Sequence, residues 1–460
     1  MNISKLLNPV PNKKPRFDED TLVCDKYWLP TELIAIIISF FSYISRPNFQ
    51  LLSKKWYTAY EQYFRNKVFN DVLHIKDRGV TRSQLVNTFV KHGHRLRWMF
   101  INTSTLREIL DFEPNIPDLI PNLIWLQVGV NDSLSSQRLM SDFVMKLGKL
   151  KRLAIHEHGF TADEHLADEL DKAVAVLPRL DRVVMHDVDL DLSAFPRPNM
   201  KERARQILEL MISVANIEPG TIASRITVFI NVTQLGLSGI SGVDILKDVT
   251  EMVVDEKNFR KLRILDVRSE LDLSHVDPIV NEDGTTVTAM DLYLKICGIQ
   301  RPKFELNVGF ILGACSKTNS VLIEKEREFV INMGKTGSGV LSRLGLTHYK
   351  PSGDYDPLTT FFYESASRYS KLKYLALYVS PTAATGPRVI EALNNPFLLP
   401  HLIQAIIYVD DMHLPEWNCE YDPINRSRGL SFRVIDMQHE DEMRMINENI
   451  NGTLPSFFLA

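Results

Sequence analysis

A short apolar pattern returns along this chain at a nearly constant interval, and that interval limits the folds open to it. The pattern is apolar-x-x-apolar-x-apolar. It runs through Leu96, Met99 and Ile101; Leu123, Leu126 and Val128; Leu150, Leu153 and Ile155; and Leu180, Val183 and Met185. It returns as Leu262, Leu265 and Val267; as Leu341, Leu344 and Leu346; as Leu372, Leu375 and Leu377; and more weakly as Leu402, Ala405 and Ile407. The first four copies start 27, 27 and 30 residues apart, and the last three 31 and 30. Such regularity argues for one supersecondary unit used repeatedly.

Amphipathic helices are predicted between the strands. Leu166, Leu170, Ala173, Val174 and Leu177 recur at helical spacing within Ala162–Leu177. Ile207, Leu208, Met211, Ile212 and Ala215 do so within Met200–Asn216, and Leu246, Val249, Met252 and Val253 within Val243–Lys257. Each unit then has one apolar strand face and one apolar helix face. Neither can be buried alone, so the units must stack. The intervals 180–262 and 262–341 exceed one repeat. An extra strand at Ile226–Ile230 is expected in the first, and a strand at Phe304–Val308 with an insertion around Glu282–Thr286 in the second.

From Arg95 to about Asp410 this body resembles the leucine-rich-repeat family in its short strand motif. The polar position that closes the usual motif is not kept at regular places. An ordinary α/β domain with parallel strands satisfies the same pattern. If the repeat is real, the strands starting near 96, 123, 150 and 180 should lie side by side and parallel in one curved sheet, with helices on the opposite side. Repeat arrays bind through the strand side and one rim of loops. Arg97, Trp98, Trp125, Gln127, Arg152, His156 and Tyr374 take positions between the motif residues and are candidates for that surface. Trp98 and Trp125 recur at similar places in adjacent units. They form either an aromatic anchor for a target or part of the core.

Residues 29–56 have a different texture. Pro30 suits the first turn of a helix and Glu32 its positive end. Leu33, Ile34, Ile36, Ile37, Ile38, Phe40 and Phe41 then wrap almost the whole circumference. A helix apolar on every side needs cover on every side. The block from Tyr27 to Phe69 is too small to provide it. Either the repeats cap the helix or a second protein does. Leu29, Pro30, Glu32, Leu33, Ile37, Phe40, Leu52 and Trp56, with Phe64 beyond, resemble the F-box in order and spacing. Ser53 stands where that family often has Cys, and Arg46-Pro47-Asn48 makes an unusually polar connection.

The F-box resemblance implies binding to the adaptor subunit of an SCF-type cullin-RING ubiquitin ligase. The chain would then be a substrate receptor that presents a protein target for ubiquitin conjugation and degradation. A repeat scaffold outside any ligase is the alternative. The expected fold is α/β: a small helical F-box followed by a leucine-rich-repeat-like β/α solenoid with parallel strands. Residues 1–24 are expected to be a disordered tail, 25–70 the F-box-like domain, 71–415 the solenoid and 416–460 a C-terminal capping segment.

Other classes find little support. A net charge of −4 offers no basic field for nucleic acid. The longest apolar run, Leu33 to Ile44, falls short of the roughly 20 residues a membrane span needs. No apolar signal core occupies Met1 to Thr21. A cytoplasmic or nuclear protein is expected, with neither nucleic acid nor membrane as partner. Cys24, Cys297, Cys315 and Cys419 are too scattered for a zinc or disulfide framework. Gly334-Lys335-Thr336 lacks the leading glycine of a phosphate loop, since Phe329 stands there. Asp187, Asp189 and Asp191 begin like a calcium loop, but Leu192 and Pro198 fill its required Gly and Glu positions. His156, His158 and His186 read as repeat-edge residues. No catalytic role, cofactor or metal is expected.

Overall fold

The computed structural model describes residues 33–34, 54–59, 72–74, 82–130, 133–157, 164–186, 195–215, 217–273, 277–281, 283–312, 320–348, 360–379, 393, 395, 397–409 and 431–436. The chain divides into two compact units, residues 1–159 with 168–180, and residues 160–167 with 181–460.

In the first unit β1 (Val72–His74), β2 (Trp98–Asn102), β3 (Trp125–Val130) and β4 (Arg152–Glu157) pair in chain order, every pair parallel. Equivalent motif residues lie in register. Met99 faces Leu126, which faces Leu153; Ile101 faces Val128, which faces Ile155. These six side chains are at most 3% exposed. Helices Thr103–Phe112 and Leu134–Val144 follow β2 and β3 and contact them.

The second unit repeats the arrangement. Its ladder runs β5 (Arg182–His186), β6 (Glu209–Ser213), β7 (Gln234–Ile240), β8 (Ile264–Asp272), then β11 (Glu305–Leu312), β12 (Leu341–His348), β13 (Tyr374–Val379), β14 (Gln404–Val409) and β15 (Ser431–Asp436), again all parallel. The antiparallel hairpin of β9 (Ile279–Val280) and β10 (Thr286–Val287) is inserted between β8 and β11. It occupies the expected insertion. The helices Val243–Val254, Ala289–Cys297 and Ser320–Gly337 contact one another in succession.

The spacing of the motif has a structural cause. The N–H of the first apolar residue closes a tight turn onto the carbonyl three residues earlier. Leu96 bonds to Gly93, Leu123 to Ile120, Leu150 to Leu147, Leu262 to Phe259, Leu372 to Tyr369 and Leu402 to Leu399. The turn buries that side chain, and where the side chains are described the next two apolar positions enter the strand on its core face. Polar side chains also bridge successive turns. Asn122 donates to the carbonyl of His94 and Asn231 to that of Arg205.

Two expectations need correction. Met200–Asn216 is not one helix. Helix Pro198–Arg203 and a 3-10 turn, Ala204–Gln206, end before β6. Ile207, Leu210 and Ile212 form a further copy of the motif, with the Ile207 N–H closing its turn onto Ala204. A helical spacing fits these residues too, but it would bury Leu208, which is 36% exposed. Ile226–Ile230 is not a strand either, because Ile222–Ile226 is helical and Phe229 accepts the turn bond of Val232. The strand is β7, on another unread copy of the motif, Val232, Leu235 and Leu237. Beyond residue 415, within the segment expected to cap the array, β15 extends the ladder by one strand.

Candidate functional site

Strand alternation separates two faces. With Met99, Ile101, Leu126, Val128, Leu153 and Ile155 in the core, the residues between them occupy the opposite side. In the first unit Trp98, Trp125 and Arg152 stand in register on three adjacent strands. The Trp98 and Trp125 ring centroids are 4.5 Å apart at 57°. The Arg152 Cζ lies 4.2 Å from the centre of the Trp125 ring. An inclined aromatic pair contributes about 0.5–1.5 kcal/mol beyond burial, and a cation over indole a similar amount. Trp125 is only 8% exposed, covered by these neighbours, while Trp98 remains half-buried. The Trp125 Nε1–H is buried without an acceptor. Further along the same face Gln127 bonds to the His156 ring, and the Phe100 ring is 6.4 Å from it. The structure therefore gathers Trp98, Trp125, Gln127, Arg152 and His156 on one face of one unit. Arg97 precedes β2 and is exposed.

Tyr374 belongs to the second unit, where the corresponding face holds two rows. Asp266, Asn307, Arg343, Tyr374 and Gln404 are register partners across β8, β11, β12, β13 and β14. Arg268, Gly309, Gly345 and Ala376 form the neighbouring row. Arg268 Nε and Nη2 donate to the two oxygens of Asp266, each at 2.7 Å. Arg343 Cζ lies 5.0 Å from the Tyr374 ring centre. Burial pulls the Arg343 guanidinium below its ordinary value, partly offset by the charge of Asp266. Arg343 and its glycine neighbours did not emerge as site residues from the sequence. They stand between motif leucines, as Trp98 does, but only the register shows what they face.

Of the F-box-like positions, Leu29, Pro30, Glu32, Ile37, Phe40 and Leu52 lie outside the described residues. Leu33 is 44% exposed, whereas its neighbour Ile34 is buried. Trp56 is half-buried in the helix Lys54–Ala59, whose last residue is fully buried. Among the described residues no three His, Cys, Asp or Glu side chains gather as a metal site, and no helix is long and apolar enough to cross a membrane.

Residues 27–59 match the F-box domain family. No curated protein sequence matches the chain. Among solved structures, the chain is similar to one described as the crystal structure of the Rad7 and Elc1 complex in yeast. That likeness has a TM-score of 0.41 and 12% identity, covering 93% of this chain and 100% of the other.

Proposed function

We propose that this chain is the substrate-recognition adaptor of an SCF-type cullin-RING ubiquitin ligase. The observation that carries the reading is the F-box match at residues 27–59. It falls on the block whose sequence predicts a helix apolar almost all round. The 44% exposure of Leu33 supports an apolar side left for a partner. Leu29, Pro30, Glu32, Leu33, Ile37, Phe40, Leu52 and Trp56 would hold the ligase adaptor subunit. The strand face would hold the protein target, with Trp98, Trp125, Arg152, His156 and Tyr374 among its contacts.

In this role the chain breaks no bond and uses no cofactor. It raises the effective concentration of target lysines beside the charged ubiquitin-conjugating enzyme, which can accelerate transfer without any new catalytic group. The function fits a division into an N-terminal tail (1–24), an F-box domain (25–70) and a repeat body, in a cytoplasmic or nuclear protein. Co-expression of the tagged full chain with the ligase adaptor subunit tests the reading. A complex that stays together through size-exclusion chromatography is expected. If the adaptor elutes alone, the chain is a repeat scaffold outside the ligase.

A further inference from the structure

We propose that the recess over Gly309, Gly345 and Ala376 receives a carboxylate side chain, Glu or Asp, from a bound target polypeptide, with Arg343 as its counter-ion. The inference rests on the reading of the strand face as the target surface and names the chemistry recognised there.

Three observations carry it. The first is charge. Both Asp266 oxygens are engaged by Arg268, so that pair is close to neutral. Arg343 has no carboxylate within 4 Å among the described residues, and its Nε is buried without a partner. Its guanidinium faces the Tyr374 ring, which leaves the planar fork of donors for an acceptor in its own plane. A desolvated, unpaired cation is costly unless an anion completes it.

The second observation is space. Gly309, Gly345 and Ala376 are register partners on three adjacent strands. From these three positions nothing larger than a methyl group rises, directly beside Arg343 and Tyr374, and the Arg268 side chain bounds the row at its Gly309 end.

The third is that the backbone does not require these glycines. Neither Gly309 nor Gly345 has a positive φ. A Cβ on Gly345 would meet the Gly309 Cα at 3.6 Å, and one on Gly309 would meet the Arg268 Cγ at 3.6 Å, both ordinary contacts. Glycine weakens a strand and commonly marks the close approach of a ligand or another backbone. Gly309 also borders a register irregularity against β8, whereas at Gly345 the fold gives no other reason for glycine.

Among the described residues Arg343 is the cation without a carboxylate on this face, and one such charge matches one carboxylate. A phosphate dianion would leave a second charge uncompensated beside Asp266, which favours an acidic side chain over a phosphorylated one.

The test uses the immobilised full chain and a phage-displayed library of random twelve-residue peptides. Enriched peptides should share one Glu or Asp. In a synthetic copy of an enriched peptide, Glu→Gln should weaken binding by about tenfold or more. Arg343→Gln should weaken the parent peptide by a similar factor, and Arg343→Lys by less. Gly345→Leu, which adds bulk over the floor and leaves the core face alone, should abolish binding with the thermal melting profile preserved. Enrichment without a shared acid, or no enrichment at all, overturns the proposal. So does unchanged affinity in either Arg343→Gln or a folded Gly345→Leu. Tighter binding when phosphoserine replaces the Glu overturns the carboxylate assignment. Adaptor co-elution measured on the same preparation keeps the two readings apart, because its loss would defeat the ligase role and leave the peptide result standing.

Discussion

Trp125 is held between two neighbours of opposite character, the Trp98 indole on one strand and the Arg152 guanidinium on the next. Neither neighbour is a core residue, so the indole can be truncated without opening a cavity among Leu126, Leu153 and their partners. Replacing Trp98 and Trp125 together with Ala should abolish target binding and leave the cooperative unfolding transition intact. Loss of that transition would assign the pair to the core. Cys297 behaves in the opposite way. It is fully buried on helix Ala289–Cys297, and burial pushes its thiol up to about 12. At pH 8 it is a neutral thiol and a poor nucleophile. Mass spectrometry of the native protein after iodoacetamide should find Cys297 unmodified, with labelling appearing only on unfolding. The sign of the linkage follows. A folded-state value above the ordinary one near 9 stabilises the fold below pH 9, and that contribution fades as pH rises toward 12. Buried Tyr293, also raised by desolvation, acts in the same direction. The urea midpoint should therefore fall between pH 9 and 11; a rising midpoint would contradict both assignments.

Single elements show how much the sequence disclosed. The strand residues of β2, β3, β4, β5, β8, β12 and β13 are legible because each carries the full motif, and those of β14 because it carries a weaker copy; in all of these but β12 the first motif residue closes the tight turn. Copies at Ile207 and Val232 were equally complete. They were missed because Ile207, Leu208, Met211 and Ile212 also fit a helical period, and a period alone cannot show that Leu208 faces solvent. The aromatic half of the site was legible from the recurrence of Trp98 and Trp125. The Arg343 recess was not, since its floor comes from three strands whose register includes an irregularity between Leu306 and Asn307. One local signal went unread. Thr288 and Asp291 form a reciprocal capping box, in which the Asp291 N–H donates to Thr288 Oγ1 at 3.2 Å and the Thr288 N–H to Asp291 Oδ2 at 3.0 Å. Thr288→Ala should cost about 1 kcal/mol. Hydrogen exchange should locate the loss at the start of helix Ala289–Cys297, whereas an unchanged unfolding free energy would show that the cap contributes nothing.

For the whole molecule, the proposed function would divide two tasks between segments far apart in the chain. The F-box, matched at residues 27–59, would engage the ligase, and strand faces from Trp98 onward would engage the target. Substitutions in one are expected to leave the other's affinity unchanged. A large apolar side chain fully buried in the adaptor interface contributes roughly 1.5–3 kcal/mol, less the cost of ordering the partners. The most direct measurement is the affinity of the full chain for the ligase adaptor subunit, by calorimetry, before and after Leu29→Ala with Pro30→Ala. The double substitution should weaken adaptor binding by tenfold or more, on the order of 1.4 kcal/mol for each factor of ten, with target binding unaltered. Adaptor affinity that is unchanged by it would contradict the account.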